Sequence, residues 1–246
     1  MCGITARVGT GDAVEEILSG LRNLEYRGYD SAGIATVTAD GLDVIKRSGE
    51  IDELCEAVES SSLRGATGIG HTRWSTHGPP TDANAHPHTD CLGQVAVVHN
   101  GIIDNYSELR DELSTHEFTS ETDTEVVPHL IEELLSAGYS PEQAFRRAVD
   151  RISGSYALAA VFEGSDAVYG TRSGSPLVLG RSDDSRYLAS DVPAFLEYTE
   201  EVVYLQDGDV VVMDPDGYEI TDTDGVAVER EVETVDWDPD DAGKGG

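Results

Sequence analysis

Basic residues are scarce in this sequence: 16 Lys and Arg stand against 48 Asp and Glu over 246 residues, the formal net charge is −32, and Lys46 and Lys244 are the only lysines. That balance excludes a nucleic-acid binder held by bulk electrostatics. The acid is spread along the whole chain and does not form one tail, which argues for a uniformly acidic folded surface and against disorder. Such a surface repels itself in dilute buffer. Screening relieves the repulsion as the Debye length falls to about 3 Å at 1 M salt, so a halophilic, salt-adapted protein is expected. Cysteine is sparse too. Cys2, Cys55 and Cys91 are an odd number with no close pair and no metal-type spacing, which suits a reducing cytoplasm better than a secreted disulfide scaffold. Charges or glycines interrupt every apolar stretch well short of about 18 residues, and no signal peptide is evident, so neither a membrane partner nor a spanning helix is expected.

What is present is an ordinary globular core, with hydrophobic residues making up 39% of the chain. Residues 2 to 8 read as a first strand. Asp12 opens a helix with Glu15 as capping-box partner, and Val14, Ile17, Leu18, Leu21 and Leu24 follow at helical spacing until Gly28. Strands are expected at 32 to 38, 42 to 47, 67 to 72 and 94 to 99, with a helix from 51 to about 59 that buries Cys55. Two further helices are expected, one after Thr122-Asp123-Thr124-Glu125 and one after Ser140-Pro141. From Ser155 the pattern is nearly all strand to Val235. Strands do not alternate regularly with helices, so layered mixed sheets with helices outside fit better than a doubly wound parallel fold. Arg73 to Asp90 has no hydrophobic period, and a structureless segment of that length inside a domain is usually functional.

Position two gives Cys2 a physical use. Removal of Met1 would leave the thiol beside its own α-amine, and an amine of pKa about 8 can take the proton of a thiol of pKa about 8.5. By position alone, an ordinary buried residue on a first strand is the commoner case. Asn100-Gly101 ends an apolar strand; it reads either as a pair of hydrogen-bond donors or as a plain turn. Arg73 offers a two-pronged match to a carboxylate. Asp123 could bind an ammonium group or merely favour a helix N-terminus. The run His86-Pro87-His88-Thr89-Asp90-Cys91 invites a zinc reading but matches no standard spacing, and Gly9-Thr10-Gly11 lacks the third glycine of a dinucleotide loop. No metal and no cofactor is therefore expected.

Several separated segments carry a resemblance. They are Cys2-Gly3-Ile4, Tyr26-Arg27-Gly28-Tyr29-Asp30, His71-Thr72-Arg73-Trp74-Ser75-Thr76-His77-Gly78, His99-Asn100-Gly101, Ser120-Glu121-Thr122-Asp123-Thr124-Glu125 and Ser173-Gly174-Ser175-Pro176-Leu177. In this order they resemble the class II glutamine amidotransferases, and in detail the glutaminase half of the glucosamine-6-phosphate synthases. An amidophosphoribosyltransferase-like domain, or another N-terminal cysteine amidohydrolase, is the alternative. The resemblance implies an α+β fold, a four-layer αββα sandwich of mixed, mainly antiparallel sheets (the N-terminal nucleophile hydrolase fold). It implies a glutaminase domain over 2–225, with 226–246 as a last strand and a linker toward absent sugar-isomerase domains. Cys2 is then the nucleophile toward L-glutamine, and Asn100 and Gly101 form the oxyanion hole. Arg73, Trp74, Thr76, His77 and Asp123 hold the substrate, with Arg27 and Gly28 in support; an ion pair of Arg27 with Asp30 is an equal possibility. The ammonia would serve to aminate fructose 6-phosphate in the other domains, and the full-length enzyme is expected to be a homodimer.

Overall fold

The computed structural model describes residues 2–75 and 78–236. The first half of the chain forms β1 (Gly3–Gly9), α1 (Val14–Asn23), β2 (Ser31–Thr38), β3 (Gly41–Ser48), α2 (Ile51–Glu59), β4 (Thr67–Arg73), β5 (His88–Thr89), β6 (Val95–Ile103) and α3 (Tyr106–Glu112). Helices α4 (Val126–Ser136) and α5 (Pro141–Val149) follow. Apart from a 3₁₀ turn at Val192–Ala194, the regular structure that follows is strand: β7 (Gly154–Phe162), β8 (Val168–Ser173), β9 (Val178–Arg181), β10 (Ser185–Ala189), β11 (Glu201–Tyr204), β12 (Val210–Met213), β13 (Tyr218–Thr221) and β14 (Glu233–Thr234).

One sheet has eight strands in the order β14-β11-β9-β10-β1-β4-β2-β3, and the other has six in the order β13-β12-β8-β7-β6-β5. Every pairing between these strands is antiparallel. The inner faces meet through Ile4, Ala6, Val8 and Ile69 of one sheet and Ala96, Val98, Ala159 and Val211 of the other. Outside the first sheet, Ile17, Leu21, Leu54 and Cys55 of α1 and α2 pack on Ile34. Outside the second, Val127 and Leu130 of α4 and Phe145 of α5 pack on Val95, Val97 and Leu158. The layers are thus helix, sheet, sheet, helix, as expected. Cys55 is core.

Local chemistry departs from expectation in three places. Helix α1 starts at Val14 with Ala13 at its N-cap, and the Asp12 carboxylate accepts from Val14 N–H at 3.1 Å without a capping box to Glu15. Among the described residues a capping box instead joins Ser140 and Gln143 at the head of α5. Helix α3 was not anticipated. It is two turns long with one fully buried residue, Leu109, too little periodicity to register.

The strand period of two also positions a site. Residues 4, 6 and 8 of β1 face the inter-sheet core, as do Ile69 of β4 and Ala96 and Val98 of β6. Continued by alternation, the same inner faces carry Cys2, His71, Arg73 and Asn100. Because β1 and β4 are antiparallel, with Gly3 opposite Thr72, the start of one strand and the end of the other lie together.

Candidate active site

Cys2 sits just before β1, partly buried, and its Sγ is held by the backbone of Trp74: Trp74 N–H donates to Sγ at 3.3 Å, and Sγ faces Trp74 O at 3.5 Å. Burial is the main influence on this thiol and pushes its pKa up, with the Trp74 hydrogen bond acting in the opposite sense. A raised pKa leaves little thiolate at neutral pH, so this sulfur needs a base. The backbone that cradles it is packed from behind by Gly28, where a Cβ would lie 2.6 Å from the Arg73 carbonyl carbon and 2.7 Å from Trp74 N. Asp30 completes the seat. Its N–H donates to Arg73 O at 2.9 Å, and its carboxylate accepts from Ser75 N–H at 2.7 Å.

Asn100 donates from Nδ2 to the Cys2 carbonyl at 2.9 Å. Its Oδ1 lies 3.0 Å from His71 Nε2, which also lies 3.0 Å from His99 O. Both neighbours of Nε2 are acceptors, so the proton of a neutral His71 belongs on Nε2. Burial holds the pKa of His71 down to about 3. A neutral, fixed N–H donor therefore orients the Asn100 amide with its oxygen toward His71 and its NH2 toward Cys2. Gly101 follows with φ +124°, a conformation that favours glycine, and a Cβ there would lie 1.9 Å from Ser155 O.

A small cavity is lined by Cys2, Arg73, Trp74, Gly101, Asp123 and Thr124, among others. Arg73 is buried, and its guanidinium donates to Gly78 O at 3.3 Å and Pro79 O at 3.4 Å. Asp123 accepts from Ile103 N–H at 2.8 Å, and α4 has Glu125 at its N-cap with no side-chain cap. The carboxylate of Asp123 is therefore tied to the end of β6 and not to the helix it precedes. Glu125 organises that approach instead, accepting from Thr119 N–H at 2.7 Å and Ser120 N–H at 2.8 Å. Trp74 is 45% exposed and meets the Tyr29 ring edge-on at 5.5 Å. Thr76 and His77 lie outside the described residues.

Arg27 is elsewhere. It pairs with Asp191, whose carboxylate also accepts from Tyr26 O–H at 2.7 Å, and it lines a separate cavity with Pro176 and Tyr204. The expected alternative partner, Asp30, is occupied by Ser75. Arg27 reaches the site only indirectly, because Ser190, the neighbour of Asp191, exchanges hydrogen bonds with Ile4 at the start of β1.

Sequence reasoning missed the histidine layer behind Asn100. His71 stacks on His86 at 4.2 Å between ring centres, and His86 meets His88 at 4.7 Å. His99 on the outer side of β6 meets Thr124 Oγ1 at 2.9 Å, and His88 meets Thr122 Oγ1 at 3.0 Å. Burial keeps the pKa values of His86 and His88 well below the usual histidine value. Strand alternation was the available signal for His71, which shares a face with Ile69.

The sandwich of antiparallel sheets with a cysteine at the head of an inner strand is the fold of N-terminal nucleophile amidotransferases. Two solved structures of that class align with it. Glutamine phosphoribosylpyrophosphate amidotransferase from B. subtilis does so at a TM-score of 0.77 and 26% identity, over 90% of this chain and 49% of that one. An allosteric regulatory enzyme of purine biosynthesis does so at 0.78 and 26%, over the same shares. The glutamine amidotransferase domain family matches residues 71–197, and this chain belongs to it. Glutamine--fructose-6-phosphate aminotransferase [isomerizing] of Thermus thermophilus is 51% identical over 248 residues, covering 100% of this chain and 41% of that protein. The protein of the same name from Halobacterium salinarum is 51% identical over 247 residues, covering 100% and 40%. The chain thus spans about two fifths of the length of these relatives. Among the described residues, no helix is long and apolar enough to cross a membrane.

Proposed function

We propose that this chain hydrolyses L-glutamine to glutamate and ammonia through a γ-glutamyl thioester on Cys2. The observation that carries the reading is the convergence on one cavity of a thiol, a guanidinium and a carboxylate, those of Cys2, Arg73 and Asp123, with the oriented Asn100 amide bonded to the Cys2 carbonyl beside it. With Met1 removed, the α-amine of Cys2 takes the thiol proton. The sulfur attacks the γ-amide carbon, and the oxyanion receives hydrogen bonds from Asn100 Nδ2 and Gly101 N–H. The α-ammonium returns its proton to the leaving nitrogen, the C–N bond breaks, and ammonia departs. Water then attacks the thioester by the same route, releasing glutamate and restoring the thiol. Arg73 suits the substrate α-carboxylate and Asp123 its α-ammonium. Trp74, Thr76 and His77 belong to the stretch that would close over the amino acid and keep ammonia from leaking.

Identity of about half the residues to proteins named for fructose 6-phosphate favours that sugar as the final ammonia acceptor over a phosphoribosyl substrate. The acceptor would bind in sugar-isomerase domains beyond this chain. The unpaired cysteines suit the cytoplasm, and the family resemblance suggests a homodimer for the full-length enzyme. The test is glutamate release paired with an intact mass. Active protein lacks Met1 and gains a glutamyl adduct on Cys2 when quenched in turnover, and Asn100→Ala lowers kcat by about 10² to 10³. Normal turnover by a species that retains Met1 overturns the mechanism.

A further inference from the structure

A second cluster of chemically capable side chains lies outside the cavity. Cys91 is on the turn between β5 and β6, His116 follows α3, and His129 and Glu132 are one turn apart on α4. One donor atom from each, Sγ, a ring nitrogen of each histidine and a carboxylate oxygen, lies within 4.8 Å of the others. Cys91 Sγ is 3.6 Å from His116 Nδ1 and 3.7 Å from His129 Nδ1. Glu132 Oε2 is 3.0 Å from His116 Nδ1 and 3.3 Å from His129 Nδ1.

These separations have the size of the edges of a coordination tetrahedron. Zinc bonds of about 2.3 Å to sulfur and about 2.0–2.2 Å to nitrogen and oxygen give edges of about 3.5 Å between sulfur and nitrogen and about 3.4 Å between nitrogen and oxygen. An independent observation concerns the far side of each ring. His116 Nε2 faces Glu133 Oε1 at 3.6 Å, and His129 Nε2 faces Glu125 Oε1 at 3.9 Å. Both separations exceed hydrogen-bond length, so each carboxylate adds only charge behind its ring, and buried His129 Nε2 has no hydrogen-bond partner, while both Nδ1 atoms face the shared donors. The frame is also rigid. Asp90 ties the turn that presents Cys91 by accepting from Gln94 N–H at 2.7 Å and Val95 N–H at 2.9 Å, and Phe118 packs edge-on against His129 at 4.7 Å.

We propose that Cys91, His116, His129 and Glu132 bind one Zn²⁺ ion. On binding, the Cys91 thiol releases its proton to solvent, so a thiolate and a carboxylate balance the two charges of the ion, and both histidines bind as neutral rings. Four protein ligands close the shell. The site is therefore structural: it joins the β5–β6 turn, the segment after α3 and the body of α4, and no catalytic step needs it. The four residues come from three segments, and for that reason no linear zinc spacing announces them.

The test is equilibrium dialysis of chelator-treated protein against Zn²⁺ with metal analysis, and titration with Co²⁺ as a coloured probe. The expected result is one ion per chain, with a thiolate-to-cobalt charge-transfer band and the strong visible absorption of a tetrahedral site. Cys91→Ser, at an exposed position that tolerates serine, abolishes that band and weakens Zn²⁺ binding at least tenfold, whereas Cys55→Ser leaves both intact. Failure of the folded wild-type chain to retain zinc overturns the proposal. So does zinc retained equally by wild type and Cys91→Ser, or zinc lost only on replacing Cys2.

Discussion

Acid should unfold this protein through its buried histidines before most of its carboxylates titrate. An unfolded histidine binds a proton at a pKa of about 6.5, but folded His71 does so only near pH 3. Between those values the unfolded state holds one more proton. Stability linked to His71 is therefore fully present above pH 6.5 and is lost as the pH falls toward 3, at about 1.4 kcal/mol per pH unit. At pH 5 the loss from this residue alone is about 2 kcal/mol, a large part of the roughly 5–15 kcal/mol that holds a typical domain folded. His86 and His88 act in the same direction, so proton uptake on unfolding approaches three. The cations nearby, Arg73 and Lys46, oppose protonation further. The assay is denaturant unfolding at fixed molar salt in half-unit steps from pH 7.5 to 5.5, a window in which few carboxylates titrate. His88→Gln, whose amide reaches the position of Nε2 beside Thr122, lowers the uptake at pH 5.5 by about one proton. A slope below that of a single proton at pH 5.5, or one unmoved by His88→Gln, refutes the assignment of neutral buried rings.

Asp123→Asn raises KM for glutamine at least tenfold while the melting temperature moves little, because the amide still accepts from Ile103 N–H but no longer offers a charge to the substrate ammonium. Loss of stability with KM intact would return Asp123 to a structural role. Thermal stability rises steeply between dilute buffer and molar KCl, since −32 formal charges are then screened, and a flat dependence of melting temperature on salt removes the salt-adapted reading. Gly101→Ala forces a Cβ into Ser155 O and a positive φ on alanine, so kcat falls by at least 10² and stability drops by about 1–3 kcal/mol, both readable from one purified variant.

Much of the architecture was legible because burial follows simple periods. The apolar spacing of α1 and α2 and the short, nearly continuous buried runs of β2 and β6 located those elements to within a few residues. The residues of the cavity were legible as motifs because each lies in a short segment of unusual chemistry. What escaped depended on distant partners. Asp191 holds Arg27 from 164 positions away, a separation no local pattern encodes. The histidine layer escaped because His71, His86, His88 and His99 come from three strands and a connecting segment, and are neighbours only after the two sheets close. The misplaced capping box has a different cause. Asp12 has the right residue type, but the chain enters α1 later, at Ala13, whose N–H bonds to Gly65 O.

The candidate site divides into a fixed half and an adaptable half, and the division follows from secondary structure. Asn100 and Gly101 belong to β6, an interior strand bonded along its whole length to β7, with Asn100 opposite Ala157 and Gly101 opposite Tyr156. His71, which orients the Asn100 amide, lies on β4 between β1 and β2. Groups that stabilise a developing oxyanion are useful only if they do not reorganise during reaction, and paired strands supply that rigidity. Trp74 and the residues after it leave the sheet at Arg73, and the guanidinium of Arg73 bonds to loop carbonyls of Gly78 and Pro79. In the proposed reaction the Arg73 guanidinium would exchange these carbonyls for the substrate carboxylate. Cys2 spans both halves: its strand is fixed by β4 and β10, but its sulfur rests on the backbone of Trp74, where the loop begins. Any shift of the Trp74 backbone on substrate binding would therefore be felt directly at the sulfur of Cys2.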